Sequence, residues 1–416
     1  MKRFQDFVQK NIYGISIFCI LALYMYSKSD KKIDEDILCS YVIGYKTGFG
    51  ARKLIASIVC ALSSNPTLDQ IRLFAYTIST AICAVFAWLC NAFILKMKAK
   101  GESSFLSALF LLAFYLSCPA SIMFLLKYPN FGRLDFLLYG ICLVFCVLFY
   151  NRERNRHLYY SATTLLLIIG ILSHHIFVAT YMPFLVALFI YDIWSIGFSK
   201  RIFTAHVIMG IISGATLLCV LLFSSMNIEL DEATHINSHF ELSRKFVCFG
   251  YYAHLSDHIE QYVIAKWPRL VAGILLTIVF LSPLFLAFWK IWRQTYLSLS
   301  CKKDRHLLIG MQCAFLLFIP AFCITVDYLR WFGAFIFLQT LLIAYFAYDT
   351  QSTYSNVWAI FRNNLRQYAF FAAVLLIYCV SLDYFYSDTY FDIVELIMQK
   401  MHIYRVETLL PLEYRL

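Results

Sequence analysis

Residues 104–126 read SFLSALFLLAFYLSCPASIMFLL, a run of 23 residues without a charged side chain. A helix of about 20 apolar residues crosses the roughly 30 Å hydrocarbon core of a bilayer. Because lipid offers no hydrogen bonds to the backbone, a chain crosses it as helices or as a closed barrel, and the alternating pattern of barrel strands is missing here. The stretch therefore predicts a transmembrane helix.

Similar apolar blocks recur along the chain, bounded by charges or by Pro, Asn and Gly. They lie at 12–27, 70–95, 135–150, 158–173, 176–193, 204–225, 268–290, 307–325, 331–348 and 367–384. Of the 416 residues, 61% are hydrophobic and 14% are charged, whereas soluble domains carry about a quarter charged residues. The sequence predicts an all-α, polytopic helix bundle of eleven spans, with 1–416 as a single membrane domain, and excludes an ordinary soluble enzyme.

The distribution of basic residues predicts the orientation of this bundle. With a cytoplasmic N-terminus, the inside segments hold 18 bases and six acids, a net charge of +12, and the outside segments hold 17 bases and 19 acids, a net charge of −2. Positively charged loops stay in the cytoplasm, so we expect the N-terminus inside and the C-terminus outside. The first external segment 28–69, the long loop 226–267 and the tail 385–416 are then extracytoplasmic.

Several functional classes are disfavoured by the same distribution. The formal net charge is +10, but the basic residues occur in short groups between the apolar blocks. They form no long basic face, so a nucleic-acid partner is not expected. The short inside segments contain no glycine-rich phosphate loop, and no cofactor is expected. The 14 cysteines form no CxxC pair and indicate no disulfide framework.

The first external segment carries acids and then a basic pair. Asp34, Glu35 and Asp36 form a run that usually only faces water. Arg52 and Lys53 follow a glycine-containing turn at the membrane surface, where Arg offers a two-pronged donor and Lys a point charge for a phosphate. The apolar stretch after them, 54–62, is too short to span and predicts a helix on the membrane surface.

The turn between the third and fourth spans holds Lys127, Arg133 and Asp135. Ionisable groups at the membrane interface are costly unless they are paired or functional. The turn therefore predicts either a snorkelling arginine with a local aspartate partner or a binding site for an anion.

A histidine pair, His174 and His175, lies at the predicted external turn between spans five and six. Imidazoles there serve as general bases or as neighbours of a developing phosphate charge. A buried structural histidine is the alternative for either one. Neither reading is settled by the sequence.

The boundary of spans nine and ten reads Asp327-Tyr328-Leu329-Arg330-Trp331. Asp327 and Arg330 share a helix face, so an ion pair is the plain explanation. Arg330 with Trp331 at the head-group level would also hold a diphosphate and stack on a sugar ring.

The long loop 226–267 contains two His-x3-His pairs, at positions 235 and 239 and at positions 254 and 258. Such spacing is compatible with a metal, but no His-Glu-x-x-His pattern accompanies it. We therefore expect no metal site, and we expect a polar loop over the membrane cavity.

These motifs resemble those of bacterial repeat-unit polymerases of O-antigen and capsular polysaccharide (Wzy type). The similarity lies in the Gly48–Arg52 turn, the Gly132–Asp135 turn, the histidine pair and the stretch from Asp327 to Trp331. His175 stands where such proteins often show an acid, which is a departure from the pattern.

The resemblance implies glycosyl transfer from a polyprenyl-diphosphate donor on the outer face of the cell (inner) membrane. It implies a lipid-linked oligosaccharide substrate, contact with membrane lipid, and a chain-length regulator or other polysaccharide-assembly protein as a partner. The resemblance gives His174, His175 and Asp327 catalytic roles. The implied diphosphate and sugar contacts are Arg52, Lys53, Lys127, Arg133, Asp135, Arg330 and Trp331.

Two other functions stay open from the sequence. A multi-span glycosyltransferase that uses a polyprenyl-phosphate sugar would place a catalytic acid among Asp34, Glu35 and Asp36. A flippase for lipid-linked oligosaccharides would place charges at mid-depth in the bundle, whereas most ionisable residues here lie near span ends.

Overall fold

The computed structural model describes residues 2–29, 33–63, 66–128, 130–195, 199–223, 267–324 and 328–349, with Tyr354, 373–374, 376–378 and Lys400. The helices in chain order are α1 (Lys2–Lys28), α2 (Glu35–Val42), α3 (Lys53–Leu62), α4 (Leu68–Lys100), α5 (Glu102–Ser117), α6 (Ile122–Leu125), α7 (Leu134–Tyr150), α8 (Arg156–Ser173), α9 (Phe177–Thr180), α10 (Met182–Ser195), α11 (Lys200–Phe223), α12 (Trp267–Ser298), α13 (Lys302–Cys313), α14 (Phe318–Ile324) and α15 (Tyr328–Tyr348). These described ranges contain no strand.

The helical class predicted from the sequence is confirmed, and the chain is a membrane protein. Seven segments are long and apolar enough to cross a bilayer: Gln5–Lys28, Leu68–Lys100, Glu102–Leu125, Lys200–Phe223, Leu270–Ser298, Lys302–Phe322 and Leu329–Tyr348. Helices α3, α7 and α10 are apolar but shorter. The predicted span 367–384, the tail 385–416 and the loop 226–267 before Trp267 fall almost wholly outside the described residues.

The apolar block 104–126 is one predicted span but two helices in the structure. Helix α5 ends at Ser117, and Cys118 adopts an extended conformation (φ −63°, ψ 129°) ahead of Pro119, as residues before proline do. The freed backbone is satisfied locally. The Tyr115 hydroxyl accepts a hydrogen bond from the N–H of Ile122 at 3.1 Å, and the Ser121 side chain caps α6.

Helix α15 packs unusually close to this break. A Cβ atom added to Gly333 would lie 2.9 Å from the carbonyl oxygen of Ala120, so a residue larger than glycine would force the two backbones apart. One turn further, the rings of Tyr139 in α7 and Phe337 in α15 stack with centroids 4.1 Å apart. These contacts fix the start of α15, which carries Arg330, against α7.

Turns at this same end of the bundle are tied to one another. The N–H of Tyr128 donates to the carbonyl of Lys28 at the end of α1 at 2.9 Å. The Tyr41 hydroxyl, on α2, donates to the carbonyl of Gly132 just before α7. Segment 28–69, predicted to be external, therefore lies against the turn that precedes α7.

The opposite end of α7 is held by a second set of charges, which we call the Asp192 cluster: Arg152, Arg156, Asp192 and His206. Asp192 is fully buried and accepts from Arg152 Nε at 2.6 Å and from Arg156 Nη1 at 3.2 Å. His206 Nε2 lies 3.7 Å from the same carboxylate. Because 17 helical residues span about 25 Å, Asp135 and Arg152 mark opposite ends of the bundle.

Candidate functional site

Arg52 is the centre of a group of charged side chains at the end of the bundle where α7 begins. Its backbone is left-handed (φ 68°), the single non-glycine residue with positive φ in the described part of the chain. Its N–H donates to the carbonyl of Leu172 at 2.9 Å. Its guanidinium Nη2 lies 2.9 Å from Nε2 of His174, the first residue after α8. A left-handed arginine costs about 1–2 kcal/mol and persists only when its surroundings enforce it.

Asp135 and Arg330 form a buried ion pair beside Arg52 and His174. Arg330 Nη2 donates to Asp135 Oδ2 at 2.6 Å, and both side chains are almost fully enclosed. The Tyr181 hydroxyl donates to the other carboxylate oxygen at 3.3 Å. Asp135 also lies in the first turn of α7, where a helix favours negative charge. The pair joins α7 to α15 across 195 residues of sequence.

The pKa of His174 is affected by several charged side chains, which shows that these side chains lie close to it. Burial lowers the pKa of His174 well below its usual value, and the positive charges of Arg52, Arg330 and Arg133 and the neighbouring imidazole of His175 lower it further. Burial and Arg52 lower the pKa of His175 to about 4. Both imidazoles are therefore neutral at neutral pH. We call Arg52, Arg133, Asp135, His174 and Arg330 the arginine–histidine cluster.

Arg133 enters the cluster through the turn before α7. Gly132 adopts a positive φ of 91°, which glycine accommodates without strain, and Arg133 follows as the residue that precedes the first helical turn. The N–H of Arg133 donates to the carbonyl of Asn130 at 3.1 Å. The structure thus pairs Asp135 with the distant Arg330, and the sequence-local partner expected for it, Arg133, contributes its charge near His174.

The two lysines predicted for the site are both buried. Lys53 is buried and donates from Nζ to the carbonyl of Gly48 at 3.1 Å, and burial lowers its pKa to about 8. Lys127 is buried in the turn before α7, where its carbonyl accepts the N–H of Phe131 at 2.8 Å. We therefore assign Lys53 to the shape of the Arg52 turn.

Trp331 has a different role from the one its position predicts. Its indole is only 1% exposed and packs on Ile176 and Ala321. The guanidinium carbon of Arg330 lies 5.0 Å from the ring centroid, within the range of a cation–π contact. A sugar ring cannot stack on an indole that is enclosed in this way, so Trp331 supports Arg330. Asp327, predicted as its partner and as a catalytic acid, lies outside the described residues.

No group of three or more His, Cys, Asp or Glu side chains suited to a metal ion occurs in the described ranges. The four histidines of the long loop lie beyond those ranges. No family model, curated protein or solved structure matches this chain.

Two members of the site were missed by reasoning from sequence. Tyr181 hydrogen-bonds Asp135, and Leu172 supplies the carbonyl that holds Arg52. Neither has a sequence signal, because a single tyrosine or leucine in an apolar block is ordinary core. Both are found only once α7, α8 and the first external segment are placed together.

The arrangement is suited to bind an anion. Arg330 is neutralised by a carboxylate, but Arg52 bonds a neutral imidazole, and its buried Nε has no hydrogen-bond partner within the described ranges. A guanidinium in a region of low dielectric attracts phosphate strongly and can hold two of its oxygens at once. The cluster can thus stabilise negative charge, while two neutral imidazoles stand beside it.

Proposed function

We propose that this protein is a glycosyltransferase that polymerises polyprenyl-diphosphate-linked oligosaccharide repeat units at the extracytoplasmic face of the membrane. The arginine–histidine cluster is proposed to hold the diphosphate of the donor. The lipid tail would lie along the apolar bundle, which keeps the diphosphate at the level of the helix ends.

One observation carries the proposal, and it concerns Arg52. This side chain is held in a strained backbone conformation, fixed by a backbone hydrogen bond to Leu172 and by His174, and no carboxylate of the described residues neutralises it. A partly buried positive charge without a counter-ion is costly in a membrane protein, and strain of this kind collects at functional sites. A bound diphosphate would supply the missing negative charge.

The proposed reaction needs no nucleotide. The hydroxyl oxygen of the acceptor sugar forms a bond to the anomeric carbon of the donor, and the bond from that carbon to the diphosphate oxygen breaks, with its electron pair leaving on the diphosphate. The arginines stabilise this leaving charge. One proton leaves the acceptor hydroxyl, and His174 and His175 are the described candidates to take it.

The opposite end of the bundle supports an enzyme over a flippase. In the Asp192 cluster, a fully buried carboxylate ties the start of α8 to the end of α10 through Arg156 and accepts from Arg152 after α7. A flippase must open both ends of its path in turn, and a buried ion pair is expensive to open because each charge is left without its partner. A reaction at one end requires no such opening.

The nearest enzymatic alternative uses a polyprenyl-phosphate sugar and a catalytic acid in the first external segment. The observation in its favour is that this segment reaches the cluster through Arg52. Within the described ranges, Asp34 contributes a carbonyl that accepts the N–H of Leu38 at 2.8 Å at the start of α2. The two proposals differ in product, since one adds whole repeat units and the other adds single sugars.

Glycan analysis of cells that lack the gene tests the proposal. We expect surface glycan capped with a single repeat unit, restored to polymer by the wild-type gene and reduced by about 10²-fold or more with Arg52→Ala. Arg154→Ala, at an exposed arginine of the opposite end, is the matched control and should restore polymer fully. Polymer without its branch sugars would favour the alternative transferase, and loss of all surface glycan would favour a flippase.

A further inference from the structure

Neither nitrogen of the His174 ring is open to accept a proton. Nε2 lies 2.9 Å from Arg52 Nη2, and since a guanidinium can only donate hydrogen bonds, Nε2 is the acceptor of this pair. A neutral imidazole carries one proton, which is then on Nδ1, the nitrogen that lies 3.3 Å from the backbone nitrogen of Ile176. The nitrogen of a general base must be open to the hydroxyl that it deprotonates. His174 has no such open nitrogen in this arrangement.

The same residues hold Arg52 in three ways. The carbonyl of Leu172 fixes its backbone N–H, the left-handed φ turns the side chain toward α8, and the imidazole of His174 receives the guanidinium. His174 itself is extended (φ −163°, ψ 113°) at the end of α8 and is 4% exposed. The end of α8 therefore forms a rigid support for one guanidinium.

His175 differs from its neighbour in its contacts. Its ring centroid lies 5.3 Å from that of His174, and it is only partly buried. Its ring nitrogens make no hydrogen bond to any described residue. The second imidazole of the pair is thus open where the first is closed.

We propose that His174 is a positioning residue that orients Arg52 toward the donor diphosphate, and that His175 accepts the proton of the acceptor hydroxyl. This assignment rests on the proposed function. In the transfer step, the proton moves from the acceptor oxygen to a nitrogen of His175, the diphosphate leaves with the electron pair of the broken bond, and His175 then releases its proton to water.

The chemical type of residue 174 matters to this role. A carboxylate would orient a guanidinium equally well, as Asp135 does for Arg330, but it would also cancel the positive charge that attracts the diphosphate. A neutral imidazole accepts the hydrogen bond and leaves the charge in place. Burial and the neighbouring cations keep His174 in that neutral form by lowering its pKa.

Binding of farnesyl diphosphate to the full-length protein in nanodiscs tests the positioning role. His174→Gln keeps a neutral acceptor, and we expect its Kd to stay within about threefold of wild type. His174→Ala removes the acceptor and His174→Asp neutralises Arg52, and each should weaken binding by about tenfold or more. Wild-type affinity in both of these variants, with folded protein shown by gel filtration, would overturn the positioning role.

Polymer formation in cells tests the role of the second histidine. His175→Gln should bind farnesyl diphosphate like wild type but lower polymer output by about 10²-fold, and His174→Gln should retain most of the output. If His174→Gln loses polymer while His175→Gln makes it normally, the two roles are reversed and the inference is wrong. If the wild-type protein itself fails to bind farnesyl diphosphate, the proposed function fails, and that result is separate from any difference between variants.

Discussion

The two ends of the bundle carry similar side chains in different balance. The Asp192 cluster places two arginines on one fully buried carboxylate, with an imidazole 3.7 Å away. The arginine–histidine cluster places one of its arginines on a carboxylate and another on a neutral imidazole. Because Glu153 also contacts both arginines, the Asp192 cluster has one carboxylate for each arginine, whereas Arg52 faces no carboxylate of the described residues.

This difference in charge balance gives the Asp192 cluster a structural role and the residues around Arg52 a role in binding. A buried charge that has its partner stabilises a particular packing of helices, and removing the partner costs several kcal/mol. A partly buried charge that faces a neutral acceptor, as Arg52 does, gains its full stabilisation only when a ligand of opposite charge binds. The comparison therefore predicts large losses of stability from changes at the Asp192 cluster, and losses of binding from changes around Arg52.

The largest expected effect is at Asp192. Asp192→Ala leaves Arg152 and Arg156 without their shared carboxylate, and the free energy of unfolding should fall by about 3–5 kcal/mol. Denaturant unfolding of the purified protein in detergent measures this fall. Glu153→Gln is the control, because Glu153 is 60% exposed and its pairs with the same arginines are worth about 1 kcal/mol or less. Unfolding of Asp192→Ala at the wild-type midpoint would contradict a structural role for this cluster.

The next effect concerns the arginine that is already paired. Arg330→Lys keeps the charge near Asp135 but loses the planar fork and the cation–π contact with Trp331. Affinity for farnesyl diphosphate should fall by about tenfold, which corresponds to about 1.4 kcal/mol. Calorimetric titration in nanodiscs is the measurement, and Arg154→Lys, the same exchange at an exposed arginine of the opposite end, serves as the control. Unchanged affinity would place Arg330 outside the binding site.

The helices were largely predictable from the sequence, and their breaks were less so. Apolar blocks of about 20 residues indicate helices in lipid whatever they pack against, so most predicted spans coincide with observed helices. The break between α5 and α6 could be expected from Pro119, but an apolar block defined by hydropathy runs through this proline without a change. The predicted span 176–193 is likewise divided, between α9 and α10, whereas the predicted spans 70–95 and 268–290 lie within longer helices, because polar and charged residues continue these helices beyond the apolar block.

The candidate site was predictable in its residues but not in its pairing. Charged side chains at helix ends stand out in an apolar sequence, and this is how Arg133, Asp135 and Arg330 were found. Their partners were inferred from nearby positions in sequence. The partner observed for Asp135 is 195 residues away and depends on the close packing of α15 at Gly333. The left-handed backbone of Arg52 has no sequence signal, since arginine has no preference for that conformation.

A smaller effect isolates the strain at Arg52. Arg52→Ala and Arg52→Gly both remove the guanidinium, so both should lose diphosphate binding. They differ at the backbone, where glycine adopts φ 68° without penalty and alanine does not. Arg52→Gly should therefore be more stable than Arg52→Ala by about 1 kcal/mol, measured by denaturant unfolding. Equal stability would show that the left-handed conformation is not enforced in the folded protein.

The last effect is the response to acid, and it tests whether His175 is neutral in the folded protein. His175 has a folded pKa of about 4, below the usual value of 6.5, so the folded protein binds fewer protons than the unfolded chain between these values. Its contribution to stability is fully present above pH 6.5 and is lost as the pH falls from 6.5 to 4. Wild-type protein should therefore lose thermal stability between pH 7 and pH 4.5 more steeply than His175→Gln, and the two should respond equally to a change from pH 7 to pH 8.

The control for this prediction is His157→Gln, at an exposed histidine of α8, which should keep the wild-type dependence on pH. If His175→Gln and wild type lose stability in parallel below pH 6.5, then His175 is charged as readily in the folded protein as in the unfolded chain, and it cannot be the neutral imidazole beside Arg52 that the proposed proton transfer requires.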